Sequence, residues 1–359
     1  MNIYSNDLKN WNVKQGVSEW SVVNLREHAN VPQFCGANSS DHLSIKESLI
    51  YATSKLQAVG IKSANLESRI LIQHATDKSI EYLLARSEEE LTQQQQTIFA
   101  NLVNRRTLLE PIAYIVGYKE FYSYQFIIND KVLIPRQDTE TLVDAILKDV
   151  IANPTSIPPA LSRSSVPCHS RVSGNLDPCI RRDDIRVELA ILELGTGSGC
   201  IAVSLLLEML NANINVNVTA TDISNEAITI ACQNAIKHKV IDRLTIINSN
   251  WFENLAKQEF DIIVSNPPYI SFDDTVYMSP ETLKYEPYSA LFAENNGLAS
   301  YYIIAKEAKR FLKQNGKLFL EIGFNQAVSV TEIFMNHGYT VLQVYKDLNG
   351  LDRGLLMKI

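Results

Sequence analysis

The sequence predicts an α/β protein with a doubly wound, mostly parallel sheet, preceded by a small N-terminal helical domain and a linking β-hairpin. Amphipathic runs at helical spacing occupy residues 43–110, and strand-forming aromatic and β-branched residues are concentrated at 111–134. After residue 188, apolar strands alternate with helices. Because such alternation is typical of parallel sheets covered by helices, we expect a ligand site at the carboxyl ends of those strands.

The composition is that of a globular protein and excludes several functional classes. Of 359 residues, 46% are apolar and 20% charged, and 33 Lys and Arg against 40 Asp and Glu give a formal charge of −7. This acidity argues against a surface that binds nucleic acid throughout, although a local basic groove is compatible with it. No apolar run reaches the ~18 residues of a membrane span. Five cysteines without Cys-x-x-Cys spacing favour reduced thiols and a cytoplasmic location.

Two segments are expected to lie outside the packed domains. Residues 1–42 are polar and aperiodic, which predicts a poorly ordered extension. Residues 153–187 contain five prolines and many Ser and Arg residues, a composition typical of a low-order insert. Cys168, His169 and Cys179 in this segment have no partner at zinc-site spacing, so no metal site is predicted.

The first domain, residues 43–110, is predicted to be helical. Ser44 with Glu47, and Thr92 with Gln95, have the spacing of capping boxes, in which each side chain satisfies a free backbone N–H group. The apolar residues that follow recur at helical spacing. Because this domain offers a surface separate from the sheet domain, we expect it to suit docking of a folded partner.

Residues 111–152 are predicted to form a hairpin and a linking helix. Aromatic and β-branched residues between 111 and 134 suit β-strands, and residues 135–140 open an amphipathic helix. In the last domain, residues 188–359, the predicted strands are 189–194, 216–221, 244–247, 260–264, 317–322, 340–345 and 354–359. The predicted helices there are 201–210, 225–237, 298–312 and 326–335.

A glycine-rich turn follows the first of these strands. Glycine allows a tight turn and close approach of a ligand to the backbone, but alone such a turn is weak evidence for a nucleotide-like cofactor. The alternative is a turn that needs glycine only for its own geometry. Cys200 after the turn is small enough to leave a dinucleotide ligand undecided. The candidate binding residues are Gly195, Thr196, Gly197, Ser198 and Gly199.

Asp222 lies at the end of the next strand, about twenty residues beyond the glycine turn, where an acid can bond ribose hydroxyls. The alternative is an N-cap for the helix that begins near Ser224. Position and motif together favour the ribose role.

The strongest chemical signal is the strand end Asn266-Pro267-Pro268-Tyr269. Two prolines stiffen the backbone and remove two N–H donors. The acceptors that remain are the Asn266 side-chain oxygen and the Pro267 carbonyl. A rigid pair of acceptors can bind both hydrogens of a planar NH2 group, and Tyr269 can stack on that group. The motif therefore predicts a receptor for an amide or an exocyclic amine.

The glycine turn together with Asn-Pro-Pro-Tyr resembles the class I methyltransferases that modify planar nitrogens using S-adenosylmethionine. Residues 111–121, 133–140, 250–252 and 285–287 further resemble the release-factor glutamine methyltransferases. The resemblance covers roughly residues 44–152 and 188–359 and includes the helical domain. It implies a class I methyltransferase fold for the doubly wound domain.

The resemblance also implies roles for individual residues. The glycine turn and Asp222 would hold S-adenosylmethionine, and Trp251 would flank its adenine unless Trp251 is a plain core residue. Asn266 would lie between cofactor and substrate. Arg136 is left open between an ion-pair partner and a contact to the protein substrate. The implied catalytic residues are Asn266, Pro267 and Tyr269, and the implied substrate-binding residues are Asn266, Pro267, Pro268 and Tyr269.

The implied activity is methyl transfer from S-adenosylmethionine to the side-chain amide nitrogen of the glutamine in the Gly-Gly-Gln motif of peptide-chain release factors. No direct nucleic-acid or membrane partner is expected. One alternative is a methyltransferase of adenine N6 or guanine N2 in nucleic acid, against which the pI of about 5.5 argues. A second is a non-catalytic scaffold, against which the intact motifs argue.

Overall fold

The computed structural model describes residues 43–152 and 188–359. The expectations for residues 1–42 and 153–187, including Cys168, His169 and Cys179, fall outside the described residues. The chain divides after Leu108 into two compact units, which are described separately.

The described part of the first unit is helical, as the sequence predicts. Both capping boxes form, with Ser44 and Glu47 at one helix start and Thr92 and Gln95 at another. The core of the unit includes Leu56, Leu71, Ile72 and Phe99, each at most 2% exposed. The helices are α1 (Ile45–Ala58), α2 (Ala64–Thr76), α3 (Ile80–Ala85) and α4 (Gln93–Thr107).

A buried ion pair joins α2 to α4. The Arg106 guanidinium contacts the Glu67 carboxylate, and the two residues are 3% and 7% exposed. The Ser63 hydroxyl also donates to Glu67 Oε1 at 2.7 Å. The pair therefore ties the two helices together inside the apolar core.

The second unit begins with a short helix where the sequence predicted a strand. Residues Ile112–Val116 form α5, which follows Pro111 and ends at Gly117, whose φ is +81°. The prediction was wrong here because periodicity does not distinguish helix from strand in an apolar run this short. The hairpin itself is confirmed, and α6 follows it. The elements are β1 (Tyr118–Phe121), β2 (Tyr124–Ile127) and α6 (Glu140–Ala152).

The second unit is built on a seven-stranded sheet of order β5-β4-β3-β6-β7-β9-β8. Pairing is parallel from β5 to β7 and antiparallel at β9 and β8, which confirms the doubly wound, mostly parallel sheet. The strands are β3 (Glu188–Leu194), β4 (Asn215–Asp222), β5 (Leu244–Asn248), β6 (Phe260–Ser265), β7 (Leu312–Glu321), β8 (Thr340–Lys346) and β9 (Asp352–Lys358).

Helices cover both faces of this sheet because successive strand residues point to opposite sides. Ile191 of β3 packs with α6 and α7 on one face, and Leu192 packs with α11 and α12 on the other. The helices are α7 (Cys200–Asn211), α8 (Asn225–Lys237), α9 (Pro280–Tyr285), α10 (Tyr288–Leu291), α11 (Ala299–Glu307) and α12 (Ala327–Asn336).

The predicted helix over 298–312 is shorter in the structure. It ends as a 3₁₀ turn at Ala308–Arg310, and β7 already begins at Leu312. The Phe260 N–H group donates to Phe311 O at 2.7 Å, and Leu312 pairs with Phe260 ahead of a register shift. Pairing with Phe260 of β6 therefore makes Leu312 the start of a strand and not the end of the helix. Within 43–152 and 188–359, none of the helices is both long and apolar enough to span a bilayer.

Replacing Arg106 with Met should lower the free energy of unfolding of the helical unit by about 3–5 kcal/mol, because it leaves the Glu67 carboxylate buried without its partner. Urea unfolding followed by circular dichroism measures this loss. Replacing Glu67 with Met as well should recover most of it. Lys46→Ala is the control, because the Lys46–Glu88 pair is exposed and worth less than about 1 kcal/mol. A similarly small loss for Arg106→Met would contradict the reading of Glu67–Arg106 as a buried pair.

Candidate active site

The topology brings the three predicted motifs to one edge of the sheet. Leu194 at the end of β3 pairs with Thr221 of β4 on one side and with Ser265 of β6 on the other. The chain leaves β3 toward β4 and β5 and returns to β6, so the strand order reverses at this point. A crevice at such a reversal is the usual ligand site of an open α/β sheet.

The glycine turn requires glycine for its own backbone. Gly195, Gly197 and Gly199 have φ values of +71°, +56° and +78°. The Thr221 carbonyl accepts both the Gly195 and the Thr196 N–H at 2.9 Å, which anchors the turn to β4. A Cβ atom at Gly195 or Gly197 would meet no atom within 4 Å. The turn therefore has its own geometric need for glycine and also faces open space that a ligand can fill.

Asp222 holds this turn through its carboxylate. Oδ2 accepts the Gly197 N–H at 2.8 Å and Oδ1 accepts the Ser224 N–H at 2.9 Å. The N-cap of α8 is Ser224, whose hydroxyl accepts the Ala227 N–H, so Asp222 does not cap the helix. Burial raises the pKa of Asp222, and the backbone N–H groups of Ser224, Gly197 and Ile223 oppose that rise. A carboxylate has about four acceptor sites, so Asp222 keeps capacity for a ligand.

Glu193 was not predicted as a site residue. It is 1% exposed, and Oε2 accepts the Thr196 hydroxyl at 2.6 Å. Oε1 has no hydrogen-bond partner among the described residues. Burial, helped by the charge of Asp222, raises the pKa of Glu193 to about 8. Glu193 therefore holds a proton at neutral pH, and its Oε1 atom is a buried polar atom that a ligand can meet. The signal in the sequence was an acid at the end of an otherwise apolar strand.

Two carbonyls of the Asn-Pro-Pro-Tyr motif are satisfied within the protein. Pro268 O accepts the Ser300 hydroxyl at 3.0 Å, and Tyr269 O accepts Gln326 Nε2 at 2.9 Å. These bonds hold the motif against α11 and against the start of α12. They also occupy one acceptor site on each of these two carbonyls.

Two further acceptors of the motif stay open. Asn266 Nδ2 donates to Thr139 Oγ1 at 3.2 Å, so the amide oxygen points away from Thr139. Within the described residues, no donor bonds either Asn266 Oδ1 or the Pro267 carbonyl. These are the two acceptors that the motif predicted for a planar NH2 group.

Gly297 is a second residue that the sequence did not single out. Its φ is +80°, and a Cβ atom there would lie 2.1 Å from Tyr269 O. The backbone at Gly297 therefore lies in close contact with the Asn-Pro-Pro-Tyr motif. The residues before it, Asn295 and Asn296, also have positive φ values.

The remaining candidates, Trp251 and Arg136, have defined neighbours in the structure. The Ser249 N–H donates to Asp222 O at 2.9 Å, which ties the loop that carries Trp251 to the site. The Trp251 ring itself is partly buried and packs on the apolar core. Arg136 forms an ion pair with Glu286. Across the described residues, no three His, Cys, Asp or Glu side chains cluster as a metal site needs.

The sheet order and this edge define a class I methyltransferase fold. Residues 180–284 match the family model of the methyltransferase small domain. Residues 47–117 match the model of the PrmC N-terminal domain. The two matches fall on the sheet-bearing and helical parts of the chain.

The chain belongs to the release factor glutamine methyltransferase family. It is 36% identical over 315 residues to the release factor glutamine methyltransferase of Agrobacterium fabrum, covering 88% of this chain and 97% of that protein. The corresponding protein of Shewanella oneidensis is 34% identical over 314 residues, covering 88% and 96%. The bifunctional methyltransferase of Rickettsia conorii is 51% identical over 323 residues. That alignment covers 87% of this chain but 57% of the relative, so the chain spans little more than half of that protein.

Replacing Gly297 with Ala should lower the free energy of unfolding by about 3 kcal/mol, because overpacking against Tyr269 O adds to the strain of a positive φ. Gly350→Ala is the matched control, since Gly350 has a φ of +78° but open space around it. We expect the control to lose only about 1 kcal/mol. Thermal and urea unfolding of both variants test this, and equal losses would show that Gly297 makes no close contact with the motif.

Proposed function

We propose that this protein transfers a methyl group from S-adenosylmethionine to the side-chain amide nitrogen of the glutamine in the Gly-Gly-Gln motif of peptide-chain release factors. The observation that carries the proposal is the pair of open acceptors, Asn266 Oδ1 and Pro267 O, beside the glycine turn. Family membership favours the glutamine amide over other planar NH2 groups.

The residues around the glycine turn fit a cofactor that carries a positive charge and hydroxyl groups. Glu193 offers an orphaned buried oxygen, and Asp222 keeps free lone pairs beside open space at Gly195 and Gly197. When bound, S-adenosylmethionine supplies an electrophilic methyl group. We assign its binding to residues 195–199, Asp222 and Trp251, with Asn266 at the boundary with the substrate.

The chemistry of the acceptor side follows from the open oxygens. An amide nitrogen is a poor nucleophile because its lone pair is delocalised into the carbonyl. Acceptors aimed at both N–H bonds stabilise the positive charge that builds on this nitrogen during transfer and fix its direction. Such positioning can lower the barrier by roughly 7–11 kcal/mol. The nitrogen gains the methyl group and one of its protons leaves to solvent.

A protein substrate agrees better with the charge of this chain than a nucleic acid does. The formal charge is −7, which opposes binding of a polyanion. We further propose that the helical unit docks the folded release factor beyond its loop, because remote contacts orient the reacting group. The reaction would serve translation termination in the cytoplasm, which agrees with the free thiols of Cys200 and Cys232.

The test incubates the protein and labelled S-adenosylmethionine with a purified bacterial release factor, tRNA and duplex DNA in parallel. We expect one added methyl group on the Gly-Gly-Gln glutamine, located by mass spectrometry, and none on a release factor with glutamate at that position. Methylated adenine or guanine beside an unmodified release factor would overturn the proposal in favour of a nucleic-acid methyltransferase.

In the same assay, Asn266→Ala should lower turnover by about 10²–10³-fold, the usual effect of losing one preorganised polar contact. Affinity for the cofactor should weaken less. Activity within a few-fold of the parent would refute the role of Asn266.

Replacing Asp222 with Ala should raise the dissociation constant of S-adenosylmethionine by about tenfold or more, because hydrogen bonds to a charged group are worth about 1.5–3 kcal/mol. Titration calorimetry measures this change. Ser224→Ala is the control, since it removes the cap of α8 while keeping the Asp222 carboxylate. Equal affinities for the parent and Asp222→Ala would limit Asp222 to holding the turn.

A further inference from the structure

Charged side chains surround the turn that holds Asn266, and the proposed chemistry uses none of them. The turn is Gln137–Thr139, which lies between the hairpin and α6. Thr139 is 3% exposed, and its hydroxyl accepts Asn266 Nδ2 at 3.2 Å. Within the described residues, this hydroxyl is the only hydrogen-bond partner of the Asn266 side chain. The position of the turn therefore determines how the amide is held.

Arg353 is fixed at the turn between β8 and β9 by Asp347. Asp347 Oδ2 accepts the Nη2 and Nε N–H groups of Arg353 at 3.1 Å and 3.4 Å. Asp347 Oδ1 accepts the N–H groups of Asn349 and Leu351 at 2.9 Å and 3.0 Å. The side chain of Arg353 is 11% exposed and that of Asp347 is 1% exposed. The guanidinium group is therefore largely buried and held in one orientation.

The backbone of Arg353 is fixed as well, beside the far end of the Asn-Pro-Pro-Tyr motif. The Ile322 N–H donates to Arg353 O at 2.9 Å. Ile322 follows Glu321, which ends β7 and whose Oε1 atom accepts the Tyr269 phenol at 3.2 Å. Arg353 is thus anchored at a strand end that already contacts the motif.

The same guanidinium group reaches the turn that holds Asn266. Arg353 Nη2 lies 3.2 Å from Asp138 Oδ2. Asp138 directly precedes Thr139, and its side chain is 41% exposed. An exposed ion pair contributes little when two long side chains must be ordered to form it. Here Asp347 already orders the arginine and Asp138 is short, so the pair restrains the turn with little further loss of side-chain entropy.

A second ion pair holds the opposite side of the turn. The Glu286 carboxylate is 1% exposed and pairs with the Arg136 guanidinium, and Glu286 Oε2 also accepts the Ile134 N–H at 3.2 Å. The Thr139 N–H donates to Arg136 O at 3.1 Å, which closes the turn. The segment is therefore restrained on one side by Glu286 and on the other by Arg353.

We infer that Arg353 is a positioning residue for the proposed methyl transfer. By holding Asp138, it keeps the Thr139 hydroxyl within reach of the Asn266 amide. The N···O distance of 3.2 Å is at the long end of an N–H···O bond, so a small shift of the turn breaks it. A released amide can rotate and present Nδ2 where the substrate needs an acceptor. This inference rests on the proposed function for the identity of the substrate, whereas the contacts exist without substrate.

The kinetic test begins with Asp138→Ala, which removes the contact to the turn and leaves Arg353 bonded to Asp347. We expect kcat to fall by about tenfold, because a small misplacement of the reacting groups slows the reaction. KM for the release factor and the dissociation constant of the cofactor should change less than about threefold. In a Thr139→Val background, Asp138→Ala should lower kcat no further, because both changes act through one hydroxyl. Unchanged kcat, a loss carried by KM, or multiplied losses in the double variant would each overturn the inference.

Arg353→Gln combined with Asp347→Asn tests the arginine itself without leaving a buried charge unpaired. We expect kcat to fall about as far as in Asp138→Ala, and adding Asp138→Ala should slow this variant no further. Parent-like kcat, or a further loss on adding Asp138→Ala, would contradict the role of Arg353. If the combined variant does not fold, the Asp138→Ala series decides the question.

Asp352→Ala is the matched control. Asp352 neighbours Arg353 in the chain and pairs with Lys346 across the same two strands at 2.7 Å. Because this pair joins β8 to β9 and is directed away from the turn at 137–139, its loss should leave kcat within about twofold of the parent. A fall equal to that of Asp138→Ala would assign the effect to the β8–β9 region as a whole and overturn the inference.

A spectroscopic readout needs no methyl acceptor. With ¹⁵N-asparagine labelling, the Asn266 side-chain NH2 signal is assigned by its loss in Asn266→Ala. In Asp138→Ala the signal should move toward its position in Thr139→Val, because both variants release the same bond, and it should stay in place in Asp352→Ala. An unmoved signal in Asp138→Ala overturns the inference. A moved signal with a release factor that the parent protein leaves unmodified would refute the proposed function and leave the positioning role standing.

Discussion

The pairing of β3 with β6 is the constraint on which the rest of the site depends. Leu194 and Ser265 are in register, and the Ser265 hydroxyl donates to Leu194 O at 2.8 Å. Both strands are buried by helices on two faces, so neither can slip without exposing its apolar side chains. Between β3 and β6 the chain first forms β4 and β5. The pairing thereby sets the glycine turn beside Asn266, although 70 residues of sequence lie between residues 195 and 266.

Three buried acids then surround this edge, at the ends of β3, β4 and β7. Burial raises the pKa of Glu193 to about 8 and that of Glu321 to about 7, and it also raises the pKa of Asp222. Their desolvation is partly offset by backbone N–H groups at Asp222, by the Thr196 hydroxyl at Glu193 and by the Tyr269 phenol at Glu321. A cationic ligand at this edge would favour the ionised forms of these acids, so the arrangement suits a ligand that carries positive charge.

The Asn-Pro-Pro-Tyr motif selects hydrogen-bond donors because it has few donors of its own and part of its acceptors are already occupied. The prolines remove two donors, and Ser300 and Gln326 occupy two of the carbonyls. The close backbone approach at Gly297 holds the motif in this position. The acceptors left open include one side-chain oxygen, Asn266 Oδ1, and one main-chain oxygen, Pro267 O, which match the two hydrogens of a planar NH2 group. The protein therefore recognises that group through acceptors it has left unpaired.

The sequence by itself determined the strands and most helices of the sheet domain, the two capping boxes, the glycine turn and the Asn-Pro-Pro-Tyr acceptors. These features depend on periodicity and backbone chemistry among residues that are adjacent in the chain. It did not determine α5, because an apolar stretch this short suits a helix or a strand. It also did not determine the start of β7, because pairing with β6 makes those residues a strand. Nor did it assign Glu193, Gly297, Thr139 or Glu321. Thr139 meets Asn266 across 127 residues, and Glu321 meets Tyr269 across 52. Such contacts exist only after parallel pairing has brought distant strand ends to one edge, so the tertiary structure alone decides which polar groups meet there.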